Sequence, residues 1–187
     1  MSTKKERLKK KFNCDRIGPQ KQNTQIIVLL SISTIRETIV KGRILSVNIS
    51  ENKGEKKHNI EACRFIKDFG LEHDAHAGMK NRQVSMLAEE SIKKIRDKGI
   101  ELKYGDFAEN LTTEGIILHQ LPLGTRMRIG RNTLVRVTQI GKECHAHCAI
   151  YAQVGDCVMP REGIFVEVLT EGEVKIGDEV EILSSPG

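Results

Sequence analysis

The sequence predicts a mainly β fold, a β-rich α+β barrel with one clear amphipathic helix and short additional helices. Three observations carry this reading. Short β-branched segments recur through the second half of the 187-residue chain, split by glycine turns. One stretch alone has a sustained helical period. The aromatic content is only 4% with no Trp, so the core must be aliphatic.

In chain order, Arg43–Ile49 is a β-rich stretch that ends in the turn-like Ser50-Glu51-Asn52-Lys53-Gly54, and it reads as the first strand. His58 to Phe65 reads as a second strand, with Ile60, Ala62 and Arg64 on one face. Gly70 to Gly78 is loop-like and rich in His and Asp, and Val84 to Met86 extends a strand. Leu87, Ile92 and Ile95, with Ala88 and Ser91 beside them, then form the apolar stripe of a helix closed by Gly99. Its other face carries Glu89, Glu90, Lys93, Lys94 and Asp97. Thr125–Ile129, Thr133–Ile140, Gly163–Leu169 and Asp178–Leu183 complete the strands, and no repeat of fixed period is visible.

Charge separates the chain into two parts. The formal net charge is +5, but residues 1–42 hold ten bases and three acids, a balance of +7. The remaining 20 bases and 22 acids leave the rest at −2. Residues 1–41 are therefore read as a basic, partly disordered extension, and 42–185 as one domain. Nucleic acid is not an expected partner of a domain at −2 with few aromatics to stack bases. Ile26–Leu30 is interrupted by Ser31 and Ser33, too short to span a bilayer. A small-x-small cleavage site is missing after it, so no secretory leader is expected. Five cysteines, an odd number, fit free thiols in a reducing cytoplasm.

The densest chemistry lies in Gly141-Lys142-Glu143-Cys144-His145-Ala146-His147-Cys148, followed by Cys157 and Met159-Pro160-Arg161. A thiolate is both a nucleophile and a soft metal ligand, and neighbouring Lys and His favour it. Zinc is an alternative, although the Cys-x3-Cys spacing lacks a paired Cys-x2-Cys knuckle. Small buried cysteines are the structural alternative. A second element, Gly105-Asp106-Phe107-Ala108-Glu109-Asn110-Leu111-Thr112-Thr113-Glu114-Gly115, offers a carboxamide and two hydroxyls to a polar ligand, or simply a capped turn. Arg82, Arg128, Arg136 and Arg161 are candidates for pairing with an oxoanion.

The ordered set of Gly70-Leu71-Glu72-His73-Asp74-Ala75-His76-Ala77-Gly78, Arg82-Gln83-Val84-Ser85, the 105–115 stretch, the Cys144 cluster and Gly177-Asp178 resembles the MOSC domain, named for the C-terminal part of molybdenum cofactor sulfurase. The resemblance runs from about Gly42 to Leu183. It implies a barrel-like fold and a molybdenum cofactor (molybdopterin) as ligand. It also implies one key cysteine, proposed in the family to carry sulfur as a persulfide or to ligate molybdenum. That cysteine maps best to Cys144, with Cys148 the close competitor. Asn110, Thr112 and Thr113 would then contact the pterin or oxo groups, with Asp74, His76 and Arg82 lining the pocket. Lys142 would favour the thiolate, and Arg161 or Arg82 would suit the cofactor phosphate. Pyridoxal phosphate binding is associated with the family only.

Where many members carry Gly before the Asp of the first motif, this chain has His73; a Gly there permits a special backbone angle, so the loop's conformation is left open. The functional expectation is cofactor maturation or delivery, with a sulfur-donor or electron-donor protein as partner. Reduction of N-hydroxylated compounds with a partner's electrons is the alternative, and a zinc-stabilised interaction module is the second.

Overall fold

A computed structural model describes residues 40–144 and 148–184. The basic extension up to residue 39, His145 and His147 lie outside the described residues. Strand β1 (Lys41–Ile49) starts one residue before Gly42. It is followed by β2 (His58–Ile60), β3 (Ala62–Ile66), β4 (Gly70–Leu71) and β5 (Val84–Ala88). Helix α1 (Glu89–Arg96), β6 (Leu111–Glu114), a 3-10 turn at Leu118–Gln120, β7 (Arg126–Ile129) and β8 (Thr133–Ile140) come next. The chain closes with α2 (Ala149–Val154), α3 (Met159–Glu162), β9 (Ile164–Thr170), β10 (Gly172–Lys175) and β11 (Glu179–Ser184).

Seven strands form a closed barrel in the order β1, β11, β7, β8, β9, β5, β6. Closure comes from β1, which pairs with β6 along one side and, through Lys41–Arg43, with β11 on the other. Strand β2 continues that second side, opposite Val47–Ile49. Period-2 alternation explains the walls: in β7, Met127 and Ile129 point inward while Arg126 and Arg128 face water. Thr133, Val135 and Val137 do the same in β8. The barrel interior is aliphatic, as the scarcity of aromatics predicts, and Phe65 is the one large ring in that buried cluster.

Three sequence expectations are corrected. The predicted single strand His58–Phe65 is broken at Glu61, because β2 pairs with β1 whereas β3 pairs with β10 and β4 in a separate three-stranded sheet. The break changes the face, so Cys63 and Phe65 are buried while Ala62 and Arg64 are exposed. The predicted helix start at Leu87 belongs instead to β5, since Met86, Leu87 and Ala88 pair in parallel with Leu111, Thr112 and Thr113 of β6. The stretch read as a ligand loop or capped turn at 105–115 supplies β6, a barrel strand.

Strand β5 is buried on both faces. Val84, Met86 and Ala88 fill the barrel. Leu87 lies on the other face in a second core with Ile92 and Ile95 of α1, Phe107, Ile150, Cys157 and Met159. That core fixes the cysteine-bearing segment against the barrel wall, at a cost to expose of about 1.5–3 kcal/mol for each large aliphatic side chain.

Candidate functional site

The site starts from a buried ion pair. Lys57 precedes β2, and Asp74 lies in the loop after β4. Their side chains are 2% and 0% exposed, and the ammonium of Lys57 donates to Asp74 Oδ1. The same carboxylate accepts the backbone N–H of Ser50 (3.1 Å) and, on Oδ2, that of His76 (3.2 Å). Burial alone would raise the Asp74 pKa, but the Lys57 bond and charge and the Ser50 N–H hold it below the usual carboxylate value. For Lys57, burial outweighs the attraction of Asp74 and brings the ammonium below the ordinary lysine range. His76 is likewise lowered, first by burial and then by the charge of Lys57. Its Nδ1 is buried without a hydrogen-bond partner.

The His73 question is answered by its backbone. His73 takes φ +65°, the left-handed region that a Gly would favour. Histidine is among the non-glycine residues enriched there, so the turn that presents Asp74 is kept without the glycine. Gly105, by contrast, has no substitute: its φ is +94° and an added Cβ would lie 2.3 Å from the Lys57 carbonyl oxygen. That close approach packs the 105–109 turn against Lys57.

Glu109 is fully buried. It accepts N–H bonds from Gly105 (2.6 Å) and Phe107 (3.2 Å) and the hydroxyl of Thr112 (2.9 Å). Burial still raises its pKa against those donors. Asn110 ties three strands together: its Oδ1 accepts the N–H (3.1 Å) and hydroxyl (2.9 Å) of Ser85, and its Nδ2 donates to the Asn48 carbonyl (3.1 Å). It also lines the pocket beside Ser85, Lys57 and His76. The structure places Thr112 and Thr113 inside the barrel wall, both 0% exposed. Thr112 is turned to Glu109, and neither threonine lines the two cavities of the site.

The cationic cavity, about 160 Å³, brings together Lys57, His76, Arg82, Asn110 and Lys142 over a floor that includes Met159 and Phe165. Arg82 donates through Nε to Gln139 Oε1 (2.9 Å), and its guanidinium carbon sits 5.3 Å from the centre of the Phe165 ring. Gln139 in turn donates to the carbonyl of Gly141 (2.7 Å), so β8 sets Arg82 and the start of the cysteine segment together.

A neighbouring cavity of about 360 Å³ is lined by Cys144, Cys148 and Cys157. Ala108, Lys142 and Met159 belong to both cavities and form their shared wall. Cys144 and Cys148 are exposed and Cys157 is buried, and all are free thiols. Burial first, and then the negative charge of the nearby Cys148 and Cys144 sulfurs, pushes the Cys157 pKa up to about 11. Arg161 is placed away from both cavities: it pairs with Asp156 (2.8 Å), which also holds Lys98 (2.6 Å) and the Cys157 N–H (2.8 Å). Arg128 and Arg136 pair with Glu181 and Glu167 on the barrel strands. No group of three or more His, Cys, Asp and Glu among the described residues converges as a metal's ligand set.

Lys57 and Cys157 are the residues that sequence reasoning did not assign to the site. Lys57 stands in the charged run Glu55-Lys56-Lys57-His58, which reads as solvated, and nothing in the run marks one lysine as buried. Cys157 carried a signal, its proximity in sequence to two other cysteines.

The family model for the MOSC domain matches residues 73–181, and the chain belongs to that family. The fold is similar to that of the YuaD protein from Bacillus subtilis, with a TM-score of 0.66 and 17% identity over 79% of this chain and 98% of that one. YiiM from Geobacillus stearothermophilus is similar with a TM-score of 0.60 and 19% identity over 76% of this chain and 75% of that one. For YiiM from Escherichia coli the values are 0.57 and 18%, over 79% and 71%. No curated protein matches the chain. No helix among the described residues is long and apolar enough to cross a membrane.

Proposed function

We propose that the protein binds the molybdenum cofactor in this double cavity and carries sulfur on Cys144 or Cys148, in cofactor maturation or delivery. The observation behind the reading is the shared wall: a cavity rich in cationic and imidazole groups opens beside one lined by three thiols, with Lys142 in both. The donor set suits the ligand. Arg82 and Lys142 offer charge to a phosphate, and the soft sulfur donors of Cys144 and Cys148 suit a molybdenum centre with sulfur ligands. The Nδ1 of His76 makes no hydrogen bond, its nearest carboxylate oxygen being Asp74 Oδ2 at 3.9 Å, and so is open to a ligand's donor or acceptor. Asn110 already spends its carboxamide on Ser85 and Asn48, so it shapes the wall.

The cofactor is cargo in this reading, and the chain's own residues do the handling. Lys57 and Asp74 rigidify the floor, Arg82 and Lys142 orient the anion, and an exposed thiolate takes sulfur from a donor protein. The domain, from residue 42 to 185, is the unit assigned this role, and the cytoplasm is its compartment.

The test is purification of the full chain from a host that makes the cofactor, followed by pterin fluorescence and mass spectrometry of each cysteine. Pterin release, reduced at least tenfold by Arg82→Ala with Lys142→Ala, and a persulfide on Cys144 or Cys148 are expected. Tightly bound zinc without pterin would overturn the reading. Reduction of N-hydroxylated compounds, lost in Cys144→Ala, would replace carriage by turnover.

A further inference from the structure

The segment that carries the cysteines ends on Glu162, a carboxylate that lines neither cavity. Helix α1 presents Ser91 and Lys94, three residues apart and so on one face, to this last residue of α3. Glu162 Oε2 accepts the Ser91 hydroxyl (2.6 Å) and the Lys94 ammonium (2.8 Å), and Oε1 accepts Lys94 again (2.9 Å). On a third side the imidazole of His119 comes within 3.8 Å of Oε2. The carboxylate is 13% exposed; burial works against its charge, but the Lys94 and Ser91 bonds hold its pKa below the usual glutamate value. The helical period places Lys94 on the water-facing side of α1, whereas the structure draws its ammonium onto Glu162. The neighbours of Glu162 hold the start of the cysteine segment by their backbone. The Pro160 carbonyl accepts the Lys142 N–H (3.2 Å), and the Gly163 carbonyl accepts the Gly141 N–H (2.6 Å). The approach is so close that a Cβ on Gly141, whose φ is +67°, would collide with the Pro160 oxygen. Helix α3 also begins with Met159, which shares the wall of both cavities with Lys142.

Resting on the reading above that Lys142 orients an anionic ligand, we infer that Glu162 is a positioning residue of the site: docked on Ser91 and Lys94 of α1, it fixes the Pro160 and Gly163 carbonyls and through them sets where Lys142 stands between the two cavities. Glu162 itself touches no ligand. Its effect passes along two covalent neighbours and two hydrogen bonds, so the path from carboxylate to Lys142 is continuous. The strands β8 and β9 pair with each other without help from α1, and the second core holds Met159 from below. Loss of the carboxylate therefore loosens Gly141 and Lys142 before it loosens the barrel. The side chain's geometry also separates its variants. Oε2 takes both the Ser91 bond and a Lys94 bond, so a glutamine with its amide oxygen at that place keeps two contacts, and an alanine keeps none.

The full chain is compared with Glu162→Ala and Glu162→Gln by amide hydrogen exchange, read by NMR. In Glu162→Ala the Gly141 and Lys142 amides are expected to exchange at least ~tenfold faster, with the rise at Val135 and Val166 of the barrel at least ~fivefold smaller. Glu162→Gln is expected to return both amides to within about threefold of the parent. Lys94→Ala trims a side chain that is 54% exposed, should speed the same two amides, and decides the matter even where Glu162→Ala does not fold. Pterin retained after purification from a cofactor-making host is the second readout: Lys142→Ala and the double variant Glu162→Ala with Lys142→Ala should retain equal amounts, because Glu162 acts through Lys142. Exchange that quickens to the same extent at Val135 and Val166, or not at all at Gly141 and Lys142, would overturn the inference and leave the cofactor reading standing. A double variant that retains clearly less pterin than Lys142→Ala would do the same. A parent chain that holds no pterin would overturn the cofactor reading, and the exchange pattern would still decide whether Glu162 places Lys142.

Discussion

Asp74→Asn should be among the most damaging conservative changes in the molecule, and its cost should depend on pH. The pair it breaks is buried on both sides, at 2% and 0% exposure. A contact of about 3 Å at an effective dielectric near 20 corresponds to ~5 kcal/mol. Removing one partner of such a pair costs about 3–5 kcal/mol. For a domain of about 150 residues that is a fall in Tm of roughly 6–20 °C. The pH sense follows from the two groups. Asp74 sits below 3.8 in the fold, so its contribution is present above that pH and is lost as the pH falls through the folded value. Lys57 sits below 10.5 in the fold, so the unfolded chain binds more protons in the window just under 10.5 and stability there rises with pH. Without Asp74 that window widens downward, because the partner that held the ammonium charged is gone.

Urea denaturation of Asp74→Asn at pH 7 and pH 10 should therefore show a large deficit that shrinks at the higher pH. Lys57→Met with Asp74→Asn should recover to within about 2 kcal/mol of the parent. A deficit below 1 kcal/mol at pH 7, or single-variant effects that simply add, would refute the buried pair as the support of the floor.

Other tests follow from backbone and thiol environments. Gly105→Ala puts a Cβ 2.3 Å from the Lys57 carbonyl oxygen at φ +94°, and it should cost at least ~2 kcal/mol in urea denaturation. At His73, φ +65°, a β-branched Val should cost about 1–2 kcal/mol, while Gly should be tolerated with no loss beyond ~0.5 kcal/mol. Alkylation with iodoacetamide, read by mass spectrometry, should modify Cys157 appreciably only as the pH approaches about 11. Labelling of Cys157 at neutral pH to the extent of exposed Cys144 would show that it is not buried as described.

Local pattern carried the barrel and tertiary pairing carried the exceptions. Strand β8 matches the expected Thr133–Ile140, because its buried and half-buried residues alternate and its ends are set by Gly130 and Gly141. β6 escaped notice because Leu111–Glu114 has Asn and Thr beside it, residues that signal a turn when read locally. Its strand character comes from partners distant in sequence, β1 and β5. The helix start shifted for a similar reason: Leu87 fits a helical stripe, but its backbone is taken by the pairing with Thr112. Motif residues came through unevenly. His76, Arg82, Asn110 and Lys142 line one cavity and Cys144 and Cys148 the next, whereas Asp74 is buried against Lys57 without lining either, Arg161 is drawn to Asp156 and Thr112 to Glu109. A motif marks residues that act together without separating those that face a ligand from those that hold the wall.

The charge of the chain makes the same point at the scale of the domain. With a balance of −2, residues 43–187 advertise no anion site. Most of the described basic side chains named here are spent in pairs: Lys41 on Glu179, Arg128 on Glu181, Arg136 on Glu167 and Lys98 and Arg161 on Asp156. Arg82 and Lys142 are different, because Arg82 is braced by the neutral Gln139 and the Phe165 ring, and Lys142 has no carboxylate within salt-bridge distance among the described residues. A cation whose neighbours are neutral keeps its field for whatever enters the cavity. Local pairing among the described residues therefore leaves Lys142 without a carboxylate partner in the wall of the thiol-lined cavity and Arg82 likewise in the cavity next to it.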